Sequence, residues 1–205
     1  MGLEKIMIID FETTGLSPDE DYPTEVGVLL ADGIKPIKTF SSLIKLPEGV
    51  KVPEFITNLT GLTTEKVNTE GTDKEVIKEE LLDMIDDNTN TLVVAHNANF
   101  DLGFLYHHFG IKPKNFMCTR TIEFLTNPQQ STSLEPTYKR YFGEIEQEHR
   151  ALFDVYMTLD VLDAQMKIHQ DMQFFLNKMI ITPERNLVYT PDNAKILDFT
   201  KVLQK

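Results

Sequence analysis

The sequence predicts an α/β fold, a sheet with helices packed on its faces, and three observations carry this. Three apolar or alternating runs follow one another at 5–10, 25–31 and 37–44 and read as an antiparallel meander. From residue 72 onward, helical periodicity alternates with short, wholly apolar runs, the order of an α/β chain. The first run closes on two acidic residues, Asp10 and Glu12, at the kind of strand end where such sheets present their sites.

The elements follow in order. Ile6 to Ile9 is apolar throughout and marks a buried first strand over 5–10. Glu25 to Ala31 and Ile37 to Ile44 are the second and third strands, joined around the turn signal Asp32-Gly33. Pro47 and Pro53 bound a loop leading to Thr60-Gly61-Leu62. A helix is expected from Thr72, where Thr72 and Glu75 form a capping-box pattern and Ile77, Leu81, Met84 and Ile85 recur at helical spacing. Leu92 to Ala95 is a short apolar strand suited to a sheet centre. Phe100 to Phe109 reads as a helix stopped by Gly110, Asn115 to Cys118 as the last strand of the sheet, and a helix follows near Thr121 to Leu125. Ser133 to Phe142 is a further helix, its start placed near Pro136 because proline suits a first turn. The longest helix is expected from Arg150 to Ile168, with Ala151, Val155, Leu159 and Leu162 inward and Ala151 small enough for close approach to the sheet. Beyond it, Met179 to Tyr189 reads as a hairpin with Pro183 at an edge or turn, and Asp192 to Leu203 as a helix carrying Ile196, Phe199 and Leu203 on one face. The chain divides into a main domain, 1–170, and an extension, 171–205, which is either a flap packed on the core or a partner-binding tail.

Five side chains carry the chemistry: Asp10, Glu12, Asp101, His149 and Asp154. Residues two apart on a strand share a face, so Asp10 and Glu12 project together. With Asp101 and Asp154 added, the carboxylates would repel one another and resist burial unless divalent cations joined them. A histidine beside such a cluster is a candidate base for water, and the set implies a metal-dependent hydrolase. On an ideal helix, five residues rotate His149 about 140° from Asp154, which puts His149 on the loop or first turn before the helix. A solvated strand end is the plainer reading of Asp10 and Glu12. A phosphatase-type Asp-x-Asp-x-Thr site is the nearer rival, and it needs an aspartate where Glu12 stands. Taken singly, Asp101 would be a helix N-terminal carboxylate and His149 a surface histidine. His96 follows a buried strand and is read as structural, as are His107, His108 and His169, which lie on expected helices and lack a matching motif.

Three segments together, Asp10-Phe11-Glu12-Thr13-Thr14-Gly15-Leu16, His96-Asn97-Ala98-Asn99-Phe100-Asp101 and His149-Arg150-Ala151-Leu152-Phe153-Asp154, resemble the motifs of the DEDDh (DnaQ-like) 3′→5′ exonucleases, the family of the proofreading epsilon subunit of replicative DNA polymerase. Thr24-Glu25-Val26-Gly27 and Leu59-Thr60-Gly61-Leu62-Thr63 fit the same pattern, and the resemblance runs from about Lys5 to Gln165. It implies a ribonuclease-H-like fold with a five-stranded mixed sheet. It implies two Mg²⁺ or Mn²⁺ ions held by Asp10, Glu12, Asp101 and Asp154, with His149 as the base. It places Thr13, Thr14, Gly15, Leu16, Leu59, Thr60 and Phe100 near the terminal nucleotide. The substrate it favours is a single-stranded DNA 3′ end, with a DNA polymerase or replication protein as a possible partner. An RNA-trimming enzyme of oligoribonuclease type and a non-catalytic end-binding module stay open as alternatives.

Composition narrows the class. A net charge of −12 argues against a tight nonspecific duplex binder, which relies on Lys and Arg to displace counterions. Weak, end-directed binding fits better, and Lys112, Lys114, Arg120, Lys139, Arg140 and Arg150 are candidates to flank a strand's path. Cys118 is the only cysteine, so an internal disulfide or a zinc–thiolate site is excluded. No apolar run approaches a membrane span and no signal peptide precedes Met7, so a cytoplasmic protein without membrane contact is expected.

Overall fold

In the computed structural model, which describes residues 5–85, 91–145 and 150–201, the side-chain parity of the first strand decides which helix meets which carboxylate. Strand β1 (Ile6–Thr13) lies at the sheet centre. It pairs antiparallel with β2 (Pro23–Asp32), which pairs antiparallel with the edge strand β3 (Lys35–Leu43). On its other side β1 runs parallel to β4 (Leu92–Ala95), and β4 parallel to β5 (Asn115–Cys118). The order β3-β2-β1-β4-β5 is the expected five-stranded mixed sheet.

Met7, Ile9 and Phe11 point to one face, packing with Val26, Val28 and Leu30 beneath α3 (Lys74–Met84) and α4 (Ala98–Phe109). Ile6 and Ile8 point to the other, packing with Leu29 and Ala31 beneath Val155, Leu159 and Leu162 of α7 (Ala151–Ile168). Each such side chain, fully buried, contributes about 1.5–3 kcal/mol. Alternation then puts Asp10 and Glu12 on the α7 face. The inward set expected for the longest helix is buried as expected.

Between β3 and α3 the expected loop contains two short helices, α1 (Glu54–Thr60) and α2 (Thr64–Glu70). They close a satellite core of Leu46, Val52, Ile56, Leu62 and Val67. Gly61 ends α1 in the left-handed region, φ 72°. The capping box expected at Thr72 is not formed: Asp73 holds the N-cap position without a side-chain capping bond, and the Thr72 hydroxyl accepts a bond from Ser42 Oγ at 2.9 Å. Helix α5 is Thr119–Thr126, and α6 is Leu134–Phe142. The α6 start precedes Pro136, which sits inside the first turn.

The C-terminal stretch departs from expectation. After a 3₁₀ turn at Met172–Phe175, β6 (Lys178–Ile181) pairs in parallel with β7 (Lys195–Asp198), so Met179–Tyr189 is not a hairpin. The intended partner strand is replaced by a tight turn in which Thr182 and Arg185 exchange backbone bonds. The helix expected from Asp192 holds a strand instead, within the part of that range described here. A four-residue run such as Lys195-Ile196-Leu197-Asp198 fits helix and strand periods alike, and β6 offers it an open edge. Asn177, at φ 56°, anchors the stretch: its side chain accepts Phe116 N–H at 2.8 Å and its N–H donates to the Phe116 carbonyl at 2.9 Å. Among the described residues, no helix is long and apolar enough to cross a membrane.

Candidate active site

Asp10 and Glu12 leave β1 toward α7, and Asp154 sits in the first turn of α7. One carboxylate oxygen from each lies within 4.8 Å of the others. Oxygens sharing a hard cation at about 2.0–2.6 Å cannot be more than roughly 5 Å apart, so this set fits a divalent ion. Asp101, buried in the first turn of α4, reaches the same strand end from the opposite face, and its Oδ1 accepts Phe11 N–H at 3.1 Å. The four carboxylates thus come together, three as one ligand set and Asp101 beside them. His149 lies outside the described residues.

Without a cation the electrostatics of the cluster are unfavourable. Asp10 is held well above the ordinary aspartate value by burial first, then by Asp101, Asp154 and Glu12. Burial, with Asp154, Glu25 and Asp101, pushes Glu12 up to about 8, against the pull of Arg150. Burial likewise raises Asp101 to about 8, opposed by its bond from Phe11 N–H. A cation would remove the desolvation and the repulsion together. A pH dependence follows. Groups raised in the folded state stabilise it fully below their unfolded values near pH 4, and that contribution is lost as pH rises through about 8. Metal-free protein is therefore expected to melt at lower temperature at about pH 9 than at about pH 6, and Mg²⁺ or Mn²⁺ to flatten that slope. Thermal melts in EDTA and in metal test this; a pH-independent melt in EDTA contradicts it.

Two features fix this end of α7, an ion pair that was not foreseen and the close approach to the sheet expected at Ala151. Buried Glu25, opposite Glu12 on β2, accepts a two-pronged bond from Arg150, with Nη2 to Oε1 at 2.7 Å and Nε to Oε2 at 3.0 Å. Gly27, opposite Asp10, lies against the Ala151 backbone, and a Cβ there would be 2.4 Å from the Ala151 carbonyl carbon. A glycine inside a strand signals close backbone approach, so Gly27 was detectable. The pairing of Glu25 with Arg150, 125 residues apart, was not. Arg150 and Arg140 are paired with buried Glu25 and Glu123.

The loop after β1 is tied to itself. Thr13 Oγ1 donates to the Gly15 carbonyl at 2.5 Å, Thr14 Oγ1 to Asp21 at 3.2 Å, and Ser17 N–H to Asp21 at 3.0 Å. Asp21 fills the space where a Gly15 side chain would be. His108 Nε2 holds the far side of the loop through the Asp21 carbonyl at 2.8 Å. This leaves Leu16 at the tip, 75% exposed. Leu59 on α1 is also exposed, whereas Thr60 is buried and uses its hydroxyl to bond the Ile56 carbonyl and Leu62 N–H. Phe100 is half-buried against Phe104, ring centres 4.8 Å apart. His96 is structural, as read: Nε2 donates to the Thr132 carbonyl and Nδ1 accepts from Thr119, while burial lowers its pKa to about 4.

A family model described as exonuclease, RNase_T, matches residues 7–162, a span that holds all four carboxylates. The chain belongs to the RNase_T exonuclease family. PolC-type DNA polymerase III from Clostridium perfringens is 32% identical over 170 residues, covering 80% of this chain and 11% of that protein. In Staphylococcus epidermidis, a PolC-type DNA polymerase III is 30% identical over 201 residues, covering 93% and 14%. A 3′-5′ exonuclease DinG from the same species is 26% identical over 195 residues, covering 92% and 21%. This chain therefore spans between 11% and 21% of the length of these relatives. The fold matches a zinc-bound E. coli exonuclease I–single-stranded DNA complex with a TM-score of 0.70 at 17% identity, covering 83% of this chain and 42% of that one. Exonuclease X in complex with 5′-overhanging duplex DNA matches at 0.66 and 22%, covering 83% and 96%.

Proposed function

We propose that this chain is a metal-dependent 3′→5′ exonuclease that releases nucleoside 5′-monophosphates from single-stranded DNA or frayed 3′ ends. The convergence of Asp10, Glu12 and Asp154 within 4.8 Å, from a strand and a helix, carries the reading. An all-carboxylate donor set suits Mg²⁺ or Mn²⁺, with Asp10, Glu12 and Asp154 holding one ion and Asp101, with Asp10, a second. Divalent ions held by these residues would supply the positive charge that favours phosphodiester hydrolysis. His149, leading into α7, takes the proton from the attacking water, a task suited to an imidazole near neutral pH. Thr13, Thr14, Gly15, Leu16, Leu59, Thr60 and Phe100 shape the seat of the terminal nucleotide. The likeness to part of PolC-type DNA polymerase III supports DNA as substrate and a polymerase or other replication protein as partner.

Degradation of matched 5′-labelled DNA and RNA oligonucleotides by the purified protein tests this. EDTA is expected to abolish mononucleotide release and Mg²⁺ or Mn²⁺ to restore it; activity that survives complete metal removal overturns the mechanism. End binding without release would make the chain a tethering module. RNA degraded at least about tenfold faster than DNA, about 1.4 kcal/mol in barrier, would overturn the substrate and leave the mechanism standing.

A further inference from the structure

Beyond the carboxylates, a cavity of about 430 Å³ opens between the loop after β1, the N-terminus of α4 and the segment 178–188. Its size is that of a small-ligand site. Leu16 and Phe100 contribute from the exonuclease core, and Met179, Leu187 and Val188 from the C-terminal stretch. The core side is preorganised. Asn97 sits in the left-handed region at φ 83°, and its Oδ1 accepts from both Asn99 Nδ2 and Arg120 Nη1 at 2.9 Å. Arg120 Nε is held by Thr132 Oγ1 at 3.0 Å. Only two of the five guanidinium N–H groups are thereby used.

The C-terminal wall is fixed to the same elements. Val188 N–H donates to Asn99 Oδ1 at 3.0 Å. The Tyr189 ring stacks on Tyr106 of α4, centres 5.3 Å apart. Gly103 of α4 is covered by both Pro18 and Tyr189, so the β1 loop and the C-terminal segment share one footing. Arg185, at the end of the tight turn, is exposed on the cavity wall and has no carboxylate partner among the described residues. An unpaired guanidinium facing an accessible recess in a chain of net charge −12 is a notable placement.

Resting on the exonuclease reading, we propose that this cavity is a nucleobase subsite for the substrate strand, with Arg185 of the C-terminal segment as a specificity-determining residue. Largely apolar walls with amide and guanidinium donors and the Glu184 carboxylate as an acceptor suit a flat heteroaromatic ring, which stacks on one surface and bonds through its edge. A phosphate alone would leave the apolar walls unused. Phe100, in the wall, precedes Asp101 on α4, so an occupant lies beside the reacting end of the strand. Residues 178–188 fall beyond the 7–162 matched by the family model, so this wall is an addition to the shared exonuclease core.

The test compares wild type, Arg185→Ala and Arg185→Lys on 5′-labelled single-stranded DNA, with and without abasic nucleotides in the last three positions from the 3′ end. For normal DNA, Arg185→Ala is expected to raise KM and the dissociation constant measured in EDTA about tenfold while kcat moves less than about twofold, and Arg185→Lys to recover part of the loss. For abasic DNA, wild type should already bind weakly and the substitution should add nothing. An equal loss on abasic DNA would place Arg185 on the phosphates and overturn the base subsite; a fall in kcat with KM unmoved would make its role structural and do the same. A wild type that binds DNA but releases no mononucleotide would overturn the exonuclease reading, and the binding comparison would still judge the subsite.

Discussion

Asp10→Ala is expected to lower turnover on single-stranded oligonucleotides by about a thousandfold or more, roughly 4 kcal/mol of transition-state stabilisation, without lowering the stability of the metal-free protein in proportion. Asp10 is the carboxylate on which the others converge: Asp101, Asp154 and Glu12 all raise its pKa, after burial itself. Removing it deletes a proposed ligand of both ions and also relieves the repulsion, so activity and stability should part company. The isosteric Asp10→Asn avoids the small cavity that alanine leaves and should show the same division. His149→Ala provides the contrast, with turnover falling and its pH profile altered while metal binding persists. Turnover, thermal melts in EDTA and metal titration calorimetry distinguish these outcomes. Near-wild-type turnover in Asp10→Asn would remove Asp10 from the site. Loss of both ions in His149→Ala would make that histidine a ligand rather than a base.

The parts legible in the sequence were those set by local pattern. The parity of β1 assigned Asp10 and Glu12 to one face, and the apolar run Leu92–Ala95 marked a central strand. Helix α7 was legible from its spacing of Ala151, Val155, Leu159 and Leu162. What escaped depends on partners distant in sequence or on short elements. Helices α1 and α2 are seven residues each and gain their burial by closing over Leu46 and Val52, so their periodicity is too brief to register. Helix α3 starts one residue later than expected, after Asp73, and the Thr72 hydroxyl is instead engaged by Ser42 from β3, a tertiary contact. The exchange of the expected terminal helix for β7 has the same cause, since the edge of β6 is invisible in the run that pairs with it. At the site, residue types announced the cluster of carboxylates, but nothing in the sequence pointed to the partner of Glu25. Only the fold shows that it grips Arg150 at the entrance to α7.

Gly27→Ala tests whether that helix entrance is set by the sheet beneath it. The added Cβ would lie 2.4 Å from the Ala151 carbonyl carbon and 2.5 Å from Leu152 N, and both are backbone atoms that cannot rotate aside. The first turn of α7 must therefore lift from β2, carrying Asp154 with it and straining the Arg150 grip on Glu25. Overpacking of this kind costs about 1–3 kcal/mol of stability. Displacing a catalytic group by about 1 Å costs on the order of a hundredfold in rate, so turnover should suffer more than folding does. Weaker metal binding should accompany the loss, because Asp154 leaves the oxygen set that Asp10 and Glu12 complete. Adding Ala151→Gly should give no rescue, since the closest contacts involve the backbone of residue 151 rather than its methyl. Urea unfolding, metal titration and single-turnover cleavage of the same variants provide the readouts. Wild-type cleavage and metal affinity in Gly27→Ala would mean that the approach of α7 to the sheet does not set the geometry of the site.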